Sequence, residues 1–342
     1  MADLIARLTA WALTLKPVRV WFHYLERRGP MLSDSVTYRA LFSTFAAVLL
    51  GFSFAALWLS GNPAAWEALV NAVDAAIPGL LATDEQEGLV DVSSIQAPAG
   101  LTITGILSLI ALLGAAIGAI GSLRAALRTL ADEIHDDAFW LLVILRNFLL
   151  AIMIGGGFLL AAGATFVGSS FIAVAQDWLG IGSDAVGDAA TFGLSLLIVF
   201  LLDTALIALA FVTLSGMKVR PRTLFAGALL GGVGLTVLQQ LSGLFVRGAG
   251  ANPLLASFAA LIALLLWFNL SAQVILLAST WVIVGAAEDA DRVREKYGAP
   301  SFEARRVKRA EDALRVAREE LELAQDAAAK ARRKAEPPEA RA

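Results

Sequence analysis

The chain has 342 residues, of which 58% are hydrophobic and only 17% charged, with a formal net charge of −3. Soluble globular chains are about 45–50% apolar and about 25% charged, so this composition argues against an ordinary water-soluble domain. Cysteine is absent and the only histidines are His23 and His135, which rules out a disulfide framework, a thiolate metal site and a cysteine nucleophile.

In chain order, the first pattern is a stripe of Leu4, Leu8, Trp11, Leu15, Val18, Phe22 and Leu25. Its alternating spacings of four and three predict an amphipathic helix, which Pro17 kinks or restarts. Two placements fit: an interfacial helix on the anionic cytoplasmic leaflet, or a helix packed beneath the bundle. Six apolar runs follow, at residues 36–60, 101–122, 138–167, 190–214, 224–245 and 255–286. Each reaches the roughly 20 residues that a spanning helix needs. No signal-peptide core or small-residue cleavage site is read at the N-terminus, so the first span is expected to direct insertion.

Loop charge orients the spans. Residues 61–100 and 168–189 contain no Lys or Arg, and residues 246–253 contain only Arg247. The opposite side carries Arg7, Lys16, Arg19, Arg27, Arg28, Arg124, Arg128, Lys218, Arg220 and Arg222. This positive-inside asymmetry predicts a multi-pass protein of the plasma (inner) membrane with both termini cytoplasmic. In the outer loop, 61–100, Trp66, Leu69, Val70 and Val73 predict a short amphipathic helix ended near Pro78, and the acidic stretch after it reads as solvated loop. From Glu288 onward, 14 basic and 13 acidic residues crowd a tail rich in Ala, Glu and Arg. Val307, Ala310, Leu314, Ala317, Leu321 and Ala324 form a thin heptad-like stripe. A solvated single helix ending near Pro337 and a coiled-coil or partner contact both fit. The fold class expected is all-α: a polytopic membrane helix bundle of six transmembrane helices, with an N-terminal amphipathic helix and a charged C-terminal cytoplasmic helix. Its parts are a cytoplasmic segment (1–35), the transmembrane domain (36–286) and the tail (287–342).

Four motifs occur in order: "SVTYRALFSTFAAVLL", "GSLRAALRTLADEIH", "VRPRTLFAGALLGG" and "SFAALIALLLWFNLSAQVILL". Together they resemble the YihY/virulence factor BrkB-like family, once labelled ribonuclease BN, over roughly residues 21–287. The resemblance implies an inner-membrane protein of six spans, with transport of lipids or other envelope components as the suggested role. The family's first-span pattern falls on Tyr38, Ala40, Leu41, Ser43 and Phe45, with Ala46 where a proline usually follows. Its small-residue pattern falls on Gly227 and Ala228, and its sixth-span tryptophan on Trp267. Ala278, Ser279 and Thr280 stand where the family often has Gly-Ala-Glu, so no role for that acid carries over. The charged tail lies outside the resemblance.

Polar groups inside apolar spans are the candidate site, because an ionisable group at the bilayer centre costs about 2.5–3.5 kcal/mol on insertion scales. They are Asp203, Arg146, Asn147, Gln239, Gln240, Asn269 and Gln273. Counted from the cytoplasmic side at 1.5 Å per residue, Arg146 lies about 12 Å deep and Asp203 about 20 Å deep. An extended arginine nearly spans that gap, which suggests an Arg146–Asp203 pair. The alternatives are that Arg146 snorkels and that Asp203 bonds a neighbouring Ser, Thr or Asn. Arg39, near the start of its span, is expected to snorkel. Asn269 and Gln273 share a helix face. Interhelical amide bonds and a polar cavity wall are both open for the amides. Gly114/Gly118 and Gly227/Gly231 form GxxxG pairs that favour close helix packing, and Gly155–Gly157 permit a bend.

Catalytic signals are weak. The cluster of His135 with Asp132, Glu133, Asp136 and Asp137 matches no metal-ligand spacing and reads as a solvated acidic loop. No Walker loop, serine elbow or basic aromatic groove is present. The expectation is a transporter or lipid-handling membrane protein with no catalytic, metal or cofactor site and no nucleic-acid partner. Its partners would be membrane lipids and, through the tail, a second copy or another protein. The alternative is a scaffold that recruits partners through its tail and outer loop.

Overall fold

Within hydrocarbon no water is present to bond free backbone groups, so long apolar runs are stable as helices. The computed structural model describes residues 2–59, 70, 81–82, 90–91, 103–133, 142–150, 153, 185–250 and 259–335. Its elements are α1 (Ala2–Thr14), α2 (Lys16–Glu26), α3 (Gly29–Leu59), β1 (Leu81–Ala82), β2 (Val90–Asp91) and α4 (Ile103–Ala131). Then come α5 (residues 142–150), α6 (Ala185–Leu214), α7 (Pro221–Gly250), α8 (Ala259–Ala290), α9 (Arg292–Tyr297) and α10 (Phe302–Ala335). Among the described residues, three helical stretches are long and apolar enough to cross a bilayer: Leu196–Leu214, Pro221–Leu241 and Leu261–Ala290.

Helix α8 is the hub, packed against α7, α3 and α2, while α3 also packs on α4 and α6 on α7. The main core lies where these helices converge. Leu127 and Leu130 of α4, Leu150 of α5, Phe211 and Leu214 of α6, and Leu276 and Val282 of α8 are almost fully buried there, beside Tyr24 of α2. Glycine sets the α7–α8 approach. A Cβ at Gly227 would lie 2.8 Å from the Ala278 carbonyl oxygen, and one at Gly231 would lie 2.8 Å from the Ala278 Cβ. The other GxxxG pair differs: among the described residues nothing lies within 4 Å of a Cβ at Gly114, and a Cβ at Gly118 would meet the Arg39 Nη1 at 3.8 Å.

Pro17 restarts the N-terminal helix instead of kinking it. Leu15 is extended (φ −75, ψ 128) and Pro17 sits in the first turn of α2, where its missing N–H costs no hydrogen bond. The two placements open for this segment divide between its halves. Arg19, Val20 and Tyr24 of α2 are buried under the bundle, whereas Leu4, Ile5, Leu8 and Trp11 of α1 are exposed.

Three sequence expectations need correction. Helix α3 begins at Gly29, seven residues before the expected span, because Tyr24 and Ser33 bond across the α2–α3 junction (Oη to Oγ, 2.8 Å). The stretch read as solvated loop contains a parallel bridge, Leu81 to Val90 and Ala82 to Asp91. The tail helix is not solvated along its whole length, since its first turns bind α2 and α9 (below). The outer-loop helix of Trp66, Leu69 and Val73, the Gly155–Gly157 bend, His135 with Asp136 and Asp137, and the end near Pro337 lie outside the described residues.

Candidate functional site

Two polar contacts sit among the apolar helices. In the first, Asp203 of α6 is 5% exposed. The Gln239 Nε2 of α7 donates to its Oδ2 at 3.2 Å. The hydroxyls of Thr204 and Thr236, on the same two helices, are buried without a partner. In the second, the Gln273 Nε2 donates to the Asn269 Oδ1 at 2.6 Å. The Asn269 Nδ2 in turn donates to the Asp34 Oδ1 at 2.8 Å, with the Thr37 Oγ1 at 3.4 Å. The Ser271 hydroxyl and the Trp267 indole N–H on α8 are also buried without a partner. Helical spacing explains the chain: residues four apart on α8 share a face, and that face meets the first turns of α3.

The remaining sequence candidates stand apart. Arg146 does not pair with Asp203. Its Nη2 donates to the Val212 carbonyl oxygen at 3.5 Å, and the side chain is exposed. Val212 is nine residues from Asp203, about 13 Å along α6, so α5 meets α6 nearer the Leu214 end of that helix than span counting implied. Asn147 is 5% exposed, its Oδ1 unpartnered, and it lines a different cavity. Gln240 is exposed. Of the family-pattern positions, Ser43 is buried and Phe45 half-buried. Tyr38 is exposed and stacks edge-on against Phe42 at 4.9 Å. Gly227 faces Val282 and Ala278. Arg39 is exposed.

A model of the family described as Virulence factor BrkB matches residues 20–301. The chain belongs to that family. It is an integral membrane protein whose described residues are almost all helical. No curated protein and no solved structure matches it. The match starts within α2 and ends just before α10, so this member of the BrkB family carries its tail helix, α10, beyond the matched region.

That added helix joins a polar collar beneath the bundle. Arg19 bonds the Glu288 carboxylate and donates to the Glu295 carbonyl oxygen at 2.8 Å. Lys16 lies 3.4 Å from Glu288. Arg305 forks onto both oxygens of Glu26, at 3.1 and 3.2 Å, and lies over the Phe22 ring. Lys308 meets Glu295 at 2.5 Å, and Arg27 pairs with Asp132. The His23 Nε2 lies 3.0 Å from the Leu130 carbonyl oxygen. A carbonyl only accepts, so that ring nitrogen carries the hydrogen. Burial pushes the His23 pKa down, and the Leu130 bond opposes this. Burial pushes Asp132 up, against the pull of Arg27. A cavity of about 650 Å³ lies inside the collar.

Sequence reasoning missed Asp34 and the collar pairs. Asp34 lies two residues before the first apolar run. Its signal was the i, i+3 spacing to Thr37 on one helical face. The collar pairs join residues up to 279 apart in sequence, and no local pattern announces such contacts.

Proposed function

We propose that this BrkB-family chain is a six-span inner-membrane protein with cytoplasmic termini that moves a lipid or other envelope component along a polar path between its helices. The carrying observation is the Asp203–Gln239 bond, flanked by buried, unpartnered hydroxyls of Thr204 and Thr236. A carboxylate in an apolar helix with an amide donor, and unsatisfied hydroxyls on the same two helices, is costly unless water or a polar ligand completes the set. Intramembrane acids of this kind mark transport pathways and proton relays. The path would take Asp203 and Gln239 on one side of α8, and Asp34, Asn269 and Gln273 on the other. The chain is proposed to be non-enzymatic and to bind no nucleic acid.

Reconstitution in proteoliposomes tests this. Asp203→Asn and Asp203→Leu are compared with the wild type for movement of labelled lipids across the bilayer. Transport should fall in both variants while the fold survives. Wild-type rates in a folded Leu variant would remove Asp203 from the path.

A scaffolding role has one specific observation in its favour. The described surface of α10 from Ala317 to Lys330 is exposed, including Leu321 and Leu323, so this half is open to a protein partner or a second copy. Truncation after Arg318 keeps the docked turns. Lost partner capture with intact lipid movement would assign recruitment to the distal half alone.

A further inference from the structure

We infer that the exposed face of α3 is the interface of a homodimer: α3 of a second copy packs parallel against it, and Asp34 of each chain pairs with Arg39 of the other. The inference rests on the chain spanning a bilayer and does not depend on transport.

Spacing defines the face. Met31, Ser35, Tyr38 and Phe42 are exposed, and their steps of four, three and four are the d, a, d, a seam of a heptad. Met31, Tyr38 and Phe42 are each more than half exposed. The opposite side of α3, with Ser33, Val36 and Thr37, is buried within the chain. In this heptad Asp34 falls at a g position and Arg39 at the e position five residues later. In a parallel two-stranded pair, such g and e residues of facing helices form the interhelical salt bridges. A two-fold axis supplies the pair twice, once on each side of the seam.

Depth is the second observation. The Asn269 Nδ2 donates to the Asp34 Oδ1, and Asn269 lies eight residues inside the Leu261–Ala290 span, about 12 Å from its Leu261 end. Asp34 and Arg39 are nevertheless both exposed, flanking the same face of α3. Among the described residues the Asp34 Oδ2 and the Arg39 guanidinium have no hydrogen-bond or ion-pair partner. An acid and a base turned toward hydrocarbon are each costly. Lipid chains would cover the apolar seam but leave both charges unpaired. A second copy covers the seam and neutralises both. Copies inserted with one topology, related by an axis along the membrane normal, present α3 in the parallel sense that this pairing needs. The pair uses the Asp34 oxygen that Asn269 leaves open, so both contacts hold at once.

The chain has no cysteine, so single cysteines test the interface directly. Met31→Cys and Ser35→Cys are made in the full chain, reconstituted in liposomes at low protein density and oxidised. Each should form covalent dimer about tenfold faster than Leu201→Cys and Val233→Cys, whose sites are exposed on α6 and α7. Charge exchange tests the pairing. Asp34→Arg leaves two cations on the face and Arg39→Asp two acids. Each variant alone should dimerise at least about tenfold more weakly, because like charges then face each other. Mixed under separate tags, the two variants should capture each other, since every facing pair is then opposite. Mixing would not repair a merely structural defect. Wild-type dimerisation of both charge variants, counted by single-molecule photobleaching, would overturn the pairing. Cross-linking at Met31 and Ser35 no faster than at the two control sites would overturn the interface itself. So would a dimer that cross-links through Leu321→Cys instead, which assigns the second copy to the tail. If a charge variant does not fold, the cysteine variants, which keep both charges, decide alone.

Discussion

In the collar, Arg19 meets Glu288 and Arg305 meets Glu26, each carboxylate opposed by a guanidinium. Between α6 and α7, the partner of Asp203 among the described residues is the amide of Gln239. The collar's pairs are half-buried or, at Arg19, buried, and there the Glu288 carboxylate and the Glu295 carbonyl oxygen offset the desolvation of the guanidinium. Among the described residues no cation is paired with this acid. An amide bond in a membrane is worth about 0.6 kcal/mol on average, far less than inserting the acid costs. The collar therefore reads as structure, and the Asp203 pair as a group kept for function.

Experiments can break that contrast, and the largest effect belongs to the collar. Arg19→Ala leaves part of Glu288's charge and the Glu295 carbonyl without their donor, so we expect a loss of about 3 kcal/mol, read by denaturation in detergent. It should also free α10, visible as faster proteolysis after Phe302. Next is Gly227→Leu. The added side chain enters a helix contact already at van der Waals distance and should cost about 1–3 kcal/mol in the same assay. Asp203→Leu should not destabilise the fold, because the insertion cost it removes exceeds the bond it loses, yet it should abolish lipid movement, whereas a collar variant that stays folded should keep it. Should the two lose transport in proportion to stability, the functional reading of Asp203 fails.

The collar should also respond to acid. The folded pKa of His23 lies below its ordinary value of 6.5, so below about pH 6.5 the unfolded chain binds more protons. Stability from neutral His23 is thus present above 6.5 and lost as pH falls. The raised Asp132 acts in the opposite direction, and only near and above its ordinary 3.8. Denaturation midpoints between pH 7 and 5 should fall in the wild type and flatten in His23→Gln. The smallest effect is expected for Arg146→Gln. An exposed arginine with one 3.5 Å contact should change stability by no more than about 0.5 kcal/mol and leave transport intact.

Much of this fold was legible in the chain because bilayer physics acts locally. Twenty apolar residues in a row dictate a helix whatever their neighbours do, and the Asn269–Gln273 bond follows from a spacing of four on one helix. Pro17 marked the α1–α2 break for the same reason. The Arg146–Asp203 pair failed because it depended on how far one span slides along another. That register is set by shape, through contacts such as Gly227 and Gly231 against α8 and Phe211 and Leu214 against α4, and residue counting does not register it.

The sequence by itself determined that this is a helical membrane chain, which family it resembles, and that an acid lies deep within an apolar run. Only the tertiary structure decided that Gln239 is the acid's partner, that Asp34 completes the Asn269–Gln273 chain, and that the tail helix is bound to α2. Secondary structure and insertion depend on the solvent each residue meets, which its neighbours in sequence predict. Side-chain partners depend on helix register and crossing, which arise only when distant segments pack.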